Sequence, residues 1–123
     1  MELLEDSIVP EAVRDVKQEA RTFAQDHIAP NAAEYYQTGD YPWEILEAGM
    51  DAGLVAQDIP EEYGGRGLSL AAVLAIAEEF YRADAGIALT LQLASFGAEI
   101  VYDHGSEQQI EEYVRPVAEN DQI

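Results

Sequence analysis

Cysteine is absent from the 123 residues, and lysine occurs once, at Lys17. The first absence excludes disulfides, thiolate metal sites and cysteine nucleophiles. The second belongs to a wider poverty of cations: six Lys and Arg stand against 25 Asp and Glu, a formal net charge of -19. A surface this negative repels nucleic acid and anionic lipid alike, which excludes a polyanion-binding role. Long apolar runs are scarce as well. The most apolar stretch is read as Leu68 to Ala77, too short to span a bilayer and followed by Glu78-Glu79. The chain starts MELLEDSIVPEAVRD, with acids where a secretory leader carries bases. Together these features predict a soluble, cytoplasmic protein that contacts neither membrane nor nucleic acid.

What is present suits one packed domain. Hydrophobic residues make up 48% and aromatics 9%, too apolar for a disordered acidic tail. Carboxylates spread along the whole chain with almost no lysine fit a salt-rich cytosol, where screening at about 1 M shortens repulsion to about 3 Å. A halophile-like protein is the expectation.

The periodicity is helical throughout and predicts an all-α bundle of about five to six helices. A first helix begins near Ser7 to Pro10 and presents Val9, Val13, Val16, Ala20, Phe23, Ala24 and Ile28 on one face. Pro30 is expected to interrupt it, with a short extension through Ala32, Ala33 and Tyr36 closed at Thr38-Gly39-Asp40. A second helix enters at Pro42 and ends at Gly53. After the loop Asp58 to Gly67, Ser69 caps a third helix, Leu70 to about Tyr81. The turn Arg82 to Gly86 leads to one long apolar helix, Ile87 to about Asp103. Ser106 and Gln109 form a capping box for a last helix carrying Ile110, Tyr113 and Val114 and stopping at Pro116. On the long helix, Ile87, Leu91, Ala94, Ala98 and Val101 make one apolar arc, and Leu89, Leu93, Phe96 and Ile100 a second. A helix apolar around most of its girth needs covering on several sides, by siblings or by something outside this chain.

Catalytic motifs are wanting. His27 and His104 sit near helix ends with no partner at ligand spacing, so they read as surface residues and no metal site is expected. The acid pairs Glu61-Glu62, Glu78-Glu79 and Glu111-Glu112 point in different directions on a helix, as chance pairs do in a chain with 25 acids. Gly65-Arg66-Gly67 begins a phosphate-loop pattern but has Leu70 where the third glycine should fall, and no strand precedes it. A tight interhelix turn is the better reading. Serine lacks the nucleophile-elbow setting.

Taken in order, several segments resemble the N-terminal helical domain of the acyl-CoA dehydrogenases. They are Phe23 to Pro30 with Ala32-Ala33-Glu34, Thr38 to Pro42, Gly53-Leu54 with Asp58 to Gly67, Ala77 to Ala85, and Gly105 to Gln109 with Tyr113 and Pro116. The stretch Pro60-Glu61-Glu62-Tyr63-Gly64-Gly65 is the most specific of them. The resemblance covers about Ser7 to Gln122 and implies a FAD-dependent enzyme that oxidises acyl-CoA thioesters. In the family a glutamate removes the α-proton while the β-hydride passes to the flavin. It further implies that the central FAD-binding β-domain and the C-terminal catalytic helical domain lie outside residues 1–123. This chain alone is then expected to bind no flavin, to carry no catalytic residue and to turn over no substrate.

The same resemblance assigns one wall of the acyl pocket to the long helix, at Ala88, Gln92 and Phe96, spaced i, i+4, i+8 along one side. The alternative leaves Gln92 in a solvated stripe with Ser95 and Glu99, and Phe96 in the core. Acyl-CoA, electron-transfer flavoprotein, the remaining domains and further copies in a homo-oligomer are the implied partners. Two other readings stay open: a related flavoenzyme (acyl-CoA oxidase, nitroalkane oxidase or flavin monooxygenase), and a non-enzymatic helical module that binds an acyl chain or a partner helix.

Overall fold

The structure is a computed structural model that describes residues 9–119, and among them every regular element is helical. The Ser7 end of the expected first-helix start lies outside the described residues. Helix α1 (Glu11–Phe23) runs on through a π turn (Ala24–Ile28). After it come α2 (Ala32–Thr38), α3 (Trp43–Asp51), a short 3-10 turn (Glu61–Tyr63) and α4 (Leu70–Ala83). Then follow α5 (Ala85–Leu93), α6 (Ala98–His104), and a last rod of α7 (Glu107–Gln109), a π turn (Ile110–Val114) and α8 (Arg115–Ala118).

The core lies where α1 crosses α4, and α5 packs on the other flank of α4. All seven residues of the predicted apolar face of α1 are buried. They meet Ala72, Ala75, Ile76 and Phe80 of α4, with the Phe23 and Phe80 rings 5.5 Å apart. Ile45, Leu46 and Met50 of α3, Ile87, Ala88 and Leu91 of α5, and Ile110 and Val114 of the last rod close the same cluster.

Three boundaries differ from the sequence expectation, each for a physical reason. Pro30 interrupts the first helix as expected, helix resuming only at Ala32, whereas Pro116 does not act as a stop. Each follows a π turn by one residue, and the residue before each proline bonds five back, Ala29 to Ala24 and Arg115 to Ile110. A proline inside an α-helix collides with the carbonyl four residues earlier, and the wider π turn carries that carbonyl aside. Ala29 and Arg115 both keep right-handed helical geometry, and helix resumes through Pro116.

The turn expected at Arg82 to Gly86 shrinks to one residue. Asp84 ends α4 and caps α5, its carboxylate accepting the Ile87 N–H at 2.8 Å. The long helix of Ile87 to Asp103 is divided: α5 ends at Leu93, and residues 94–97 form a turn in which Gly97 takes φ 91°. There Phe96 N–H bonds Leu93 O and Ala98 N–H bonds Ser95 O, spacings of three that tighten the chain and end the α ladder. The predicted Ser69 cap and the Ser106–Gln109 capping box are both present.

Candidate functional site: an uncovered apolar face

The first arc of the α5–α6 segment is covered by the domain: Ile87 and Leu91 are buried, and Ala94, Ala98 and Val101 pack partly against the core. The second is not. Leu89 and Leu93 stand about half exposed at 48% and 47%, Ile100 at 64% and Phe96 at 85%. Neighbouring α4 adds Leu70 at 72% and Leu74 at 52%. Apolar side chains gathered in this way on two packed helices mark a surface made for contact.

Of the three residues expected along the pocket wall, the structure brings two onto α5. Ala88 is fully buried in the domain core, and Gln92, one turn on, is half-buried. Phe96 sits beyond the helix end, in the turn that Gly97 closes, so the three do not continue along one unbroken rod. The i, i+8 extrapolation assumes a helix that the turn interrupts. Phe96 is thereby presented outward and is not part of the core.

A second stretch, longer and less apolar per residue than Leu68 to Ala77, lies in the same segment. Residues Ala85–His104 reach, by length and composition alone, what a membrane crossing requires, with a mean hydropathy of 1.3. The turn at 94–97 divides them, and α5 commits Ile87, Ala88 and Leu91 to the core. One such segment is weak evidence of a membrane span.

The other sequence candidates take structural roles. His27 and His104 are exposed, His27 stacked on Phe23 at 4.7 Å, and no group of three metal-binding side chains occurs among the described residues. Glu78 and Glu79 turn inward to meet α1. Lys17, 2% exposed, stands 3.2 Å from Glu78 and 3.9 Å from Glu79, while Arg21 makes two bonds to Glu79, at 2.9 and 3.2 Å. Arg82 approaches the same carboxylate at 3.8 Å. A carboxylate answered by three cations is a structural tie, not a free base.

This cluster was missed from sequence, although a signal existed. Lys17 falls within the apolar stripe Val13, Val16 and Ala20, and Glu79 completes the helical pattern Ala72, Ala75, Ile76 and Phe80. Charges at apolar positions of two helices that pack together point to each other.

The glycine loop offers no phosphate cradle. Gly67 N–H bonds Ile59 O at 2.8 Å, Leu68 N–H bonds Gln57 O at 2.9 Å, and Gly64 and Gly65 N–H bond Glu61 and Pro60 carbonyls. A Cβ at residue 65 would lie 1.9 Å from Ile59 O, so glycine is required there by the loop's own packing. These four donors are spent within the loop.

Tyr63 of the same loop stacks on Tyr102 of α6 at 5.9 Å. Burial, aided by Asp58, Asp103 and Glu99, pushes the Tyr102 phenol above its ordinary value. Outside the core, Arg115 bonds Glu111 twice at 2.9 Å and holds that carboxyl below the usual glutamate range.

The comparisons with known proteins bear on this face. Residues 10–121 match the family model described as acyl-CoA dehydrogenase, N-terminal domain. This chain belongs to the acyl-CoA dehydrogenase family. A probable medium-chain specific acyl-CoA dehydrogenase of Caenorhabditis briggsae is 31% identical over 108 residues, covering 88% of this chain and 26% of the relative. The 3-sulfinopropanoyl-CoA desulfinase of Variovorax paradoxus is 34% identical over 97 residues, 78% of this chain and 24% of that protein.

Butyryl-CoA dehydrogenase from Megasphaera elsdenii superposes with a TM-score of 0.79 at 26% identity, over 97% of this chain and 31% of that one. The chain thus spans about a quarter of the length of the curated relatives it matches. An acyl-CoA dehydrogenase N-terminal domain is therefore the fold, and Leu89, Leu93, Phe96 and Ile100 stand exposed on it.

Proposed function

We propose that this domain works as part of a FAD-dependent enzyme that removes hydrogen across the α,β bond of an acyl-CoA thioester. The observation that carries the reading is the bare face of α4, α5 and the 94–97 turn, in a chain about a quarter as long as its relatives. In this reading further polypeptide of the same enzyme, a flavin-binding β-domain and a C-terminal helical domain, covers much of that face and supplies flavin and base. This domain supplies no reacting group. Gln92 and Phe96, with Ala88 packed behind them, form one wall of the acyl pocket and exclude water from the chain. A cytoplasmic location, a homo-oligomer and electron transfer to an electron-transfer flavoprotein complete the proposal.

A neighbouring chemistry has its own support, since one relative of similar identity is a desulfinase acting on a CoA thioester. The two readings share the acyl-CoA substrate class and the role of this domain, and differ in groups outside residues 9–119.

The test is Phe96→Ala in the complete enzyme, assayed over acyl-CoAs of increasing chain length. The expected result is a shift of preference with little change in folding, because Phe96 is exposed in the isolated domain. An unchanged profile would remove Phe96 from the pocket. In parallel, the 123-residue chain should bind a hydrophobic dye that the complete enzyme does not, and should show no flavin absorbance when purified. A flavin band would overturn the assignment of cofactor binding to other domains.

A further inference from the structure

A second feature lies away from the apolar face, on elements that the reading above does not use. Between α2 and the start of α3 the chain forms a cleft of about 400 Å³ walled by Glu34, Tyr35, Asp40, Tyr41, Trp43 and Glu44 among others. Two of its walls form a preset aromatic pair. Pro42, buried, has φ -82° and ψ 59°, and Trp43 N–H reaches back to Tyr41 O at 2.9 Å: an inverse γ-turn. Such a turn about a proline, whose ring fixes φ, holds the flanking side chains together. The Tyr41 and Trp43 rings lie 4.4 Å apart, tilted by 47°, and both remain about half exposed, at 46% and 55%.

The charges around these rings have one sign. No lysine or arginine lines the cleft, and His27 is its only nitrogen base. Glu34, Asp40 and Glu44 make no ion pair among the described residues. In so acidic a chain the carboxylates alone mean little. Rings with negative faces, fixed among unpaired carboxylates, call for a planar cation that can stack and accept two oxygens at once, which is a guanidinium. The chain's own supply is mostly committed, since Arg21, Arg66, Arg82 and Arg115 all pair with its own acids.

We propose that the Tyr41–Trp43 cleft holds the guanidinium of an arginine side chain presented by a partner protein. Charge complementarity with a chain of net charge -19 draws that partner surface in, and the ring pair selects arginine from among its cations. Aromatic residues exposed in this way are also the usual anchors of protein interfaces.

Trp43 is the only tryptophan in the chain, so its fluorescence reads the site directly. The 123-residue chain is titrated at constant ionic strength with N-acetyl-arginine amide, with the citrulline amide as its neutral isostere, and with the lysine amide. The expected result is saturable change with the arginine compound, with Kd on the order of 1–10 mM. Lysine should bind at least about threefold more weakly, and citrulline should give no saturable change.

Glu44→Gln and Asp40→Asn should each raise Kd about threefold or more, with circular dichroism unchanged. Glu99→Gln, remote from the cleft, should leave it alone. Equal response to citrulline, or equal loss with Glu99→Gln, would overturn the proposal by showing an apolar cleft or a diffuse charge effect. Equal Kd for free zwitterionic arginine would overturn the assignment to a protein-borne side chain.

Discussion

Glu79 occupies a position that helical spacing reserves for an apolar side chain, and Lys17, Arg21 and Arg82 answer it across the α1–α4 contact. Removing one member of a buried pair leaves the other's charge desolvated, which typically costs about 3–5 kcal/mol, whereas replacing both partners by apolar groups is often neutral. Glu79→Gln is therefore expected to lower the urea-unfolding free energy by about 3 kcal/mol. The double change Lys17→Met with Glu79→Met should not recover it, because Glu78 then loses Lys17 and Arg21 loses Glu79. If the single change proved silent, the cluster would not hold α1 to α4.

Two titrations belong to the same scale. Glu111, hydrogen-bonded by Arg115, titrates below the usual glutamate range, so its pairing stabilises the fold fully above about pH 4.3 and fades as pH falls through the lowered value. NMR titration of Glu111 should show a return toward the ordinary range in Arg115→Gln. Tyr102 has the opposite sign. Its raised phenol favours the protonated form, so its contribution holds below about pH 10 and is lost as pH rises through the shifted value. Ultraviolet titration of Tyr102→Phe against the parent should show one fewer late-titrating phenol.

At the scale of elements, the turn at 94–97 decides what the α5–α6 segment presents. Gly97, at φ 91°, has open space where a Cβ would stand, so its substitution is opposed by backbone strain alone. Gly97→Ala is expected to cost about 1–2 kcal/mol, measured by denaturant unfolding. Phe96→Ala, at an exposed position, should change stability by less than about 0.5 kcal/mol. The contrast separates the turn's geometry from the aromatic group it displays. The π turn before Pro116 shows the same economy: helix resumes through the proline when one wide turn precedes it.

For the molecule as a whole, the bare face and the charge pull in opposite directions. Exposed Leu89, Leu93 and Phe96 favour association, while a net charge of -19 opposes it and strains the compact state. Salt relieves the repulsion. The melting temperature should rise between low salt and about 1 M, where the Debye length is about 3 Å. Equal melting in both would remove the halophile-like reading. The same salt should promote self-association of the isolated chain, read by sedimentation, and Leu93→Glu should suppress it.

Local spacing was enough to determine the helical class, the buried face of α1 and the Ser69 and Ser106 caps, because each depends on residues a few positions apart; the family came from a resemblance of ordered segments along the chain. The apolar surplus of Leu89, Leu93, Phe96 and Ile100 was legible in the same way. Tertiary structure alone decided that this surplus stays uncovered, that Ala88 turns into the core, that Lys17 finds Glu78 and Glu79, and that Tyr41 and Trp43 meet above Pro42. The reason is physical. Periodicity records which side of a helix avoids water, but the occupant of that side is set by packing between segments distant in the chain.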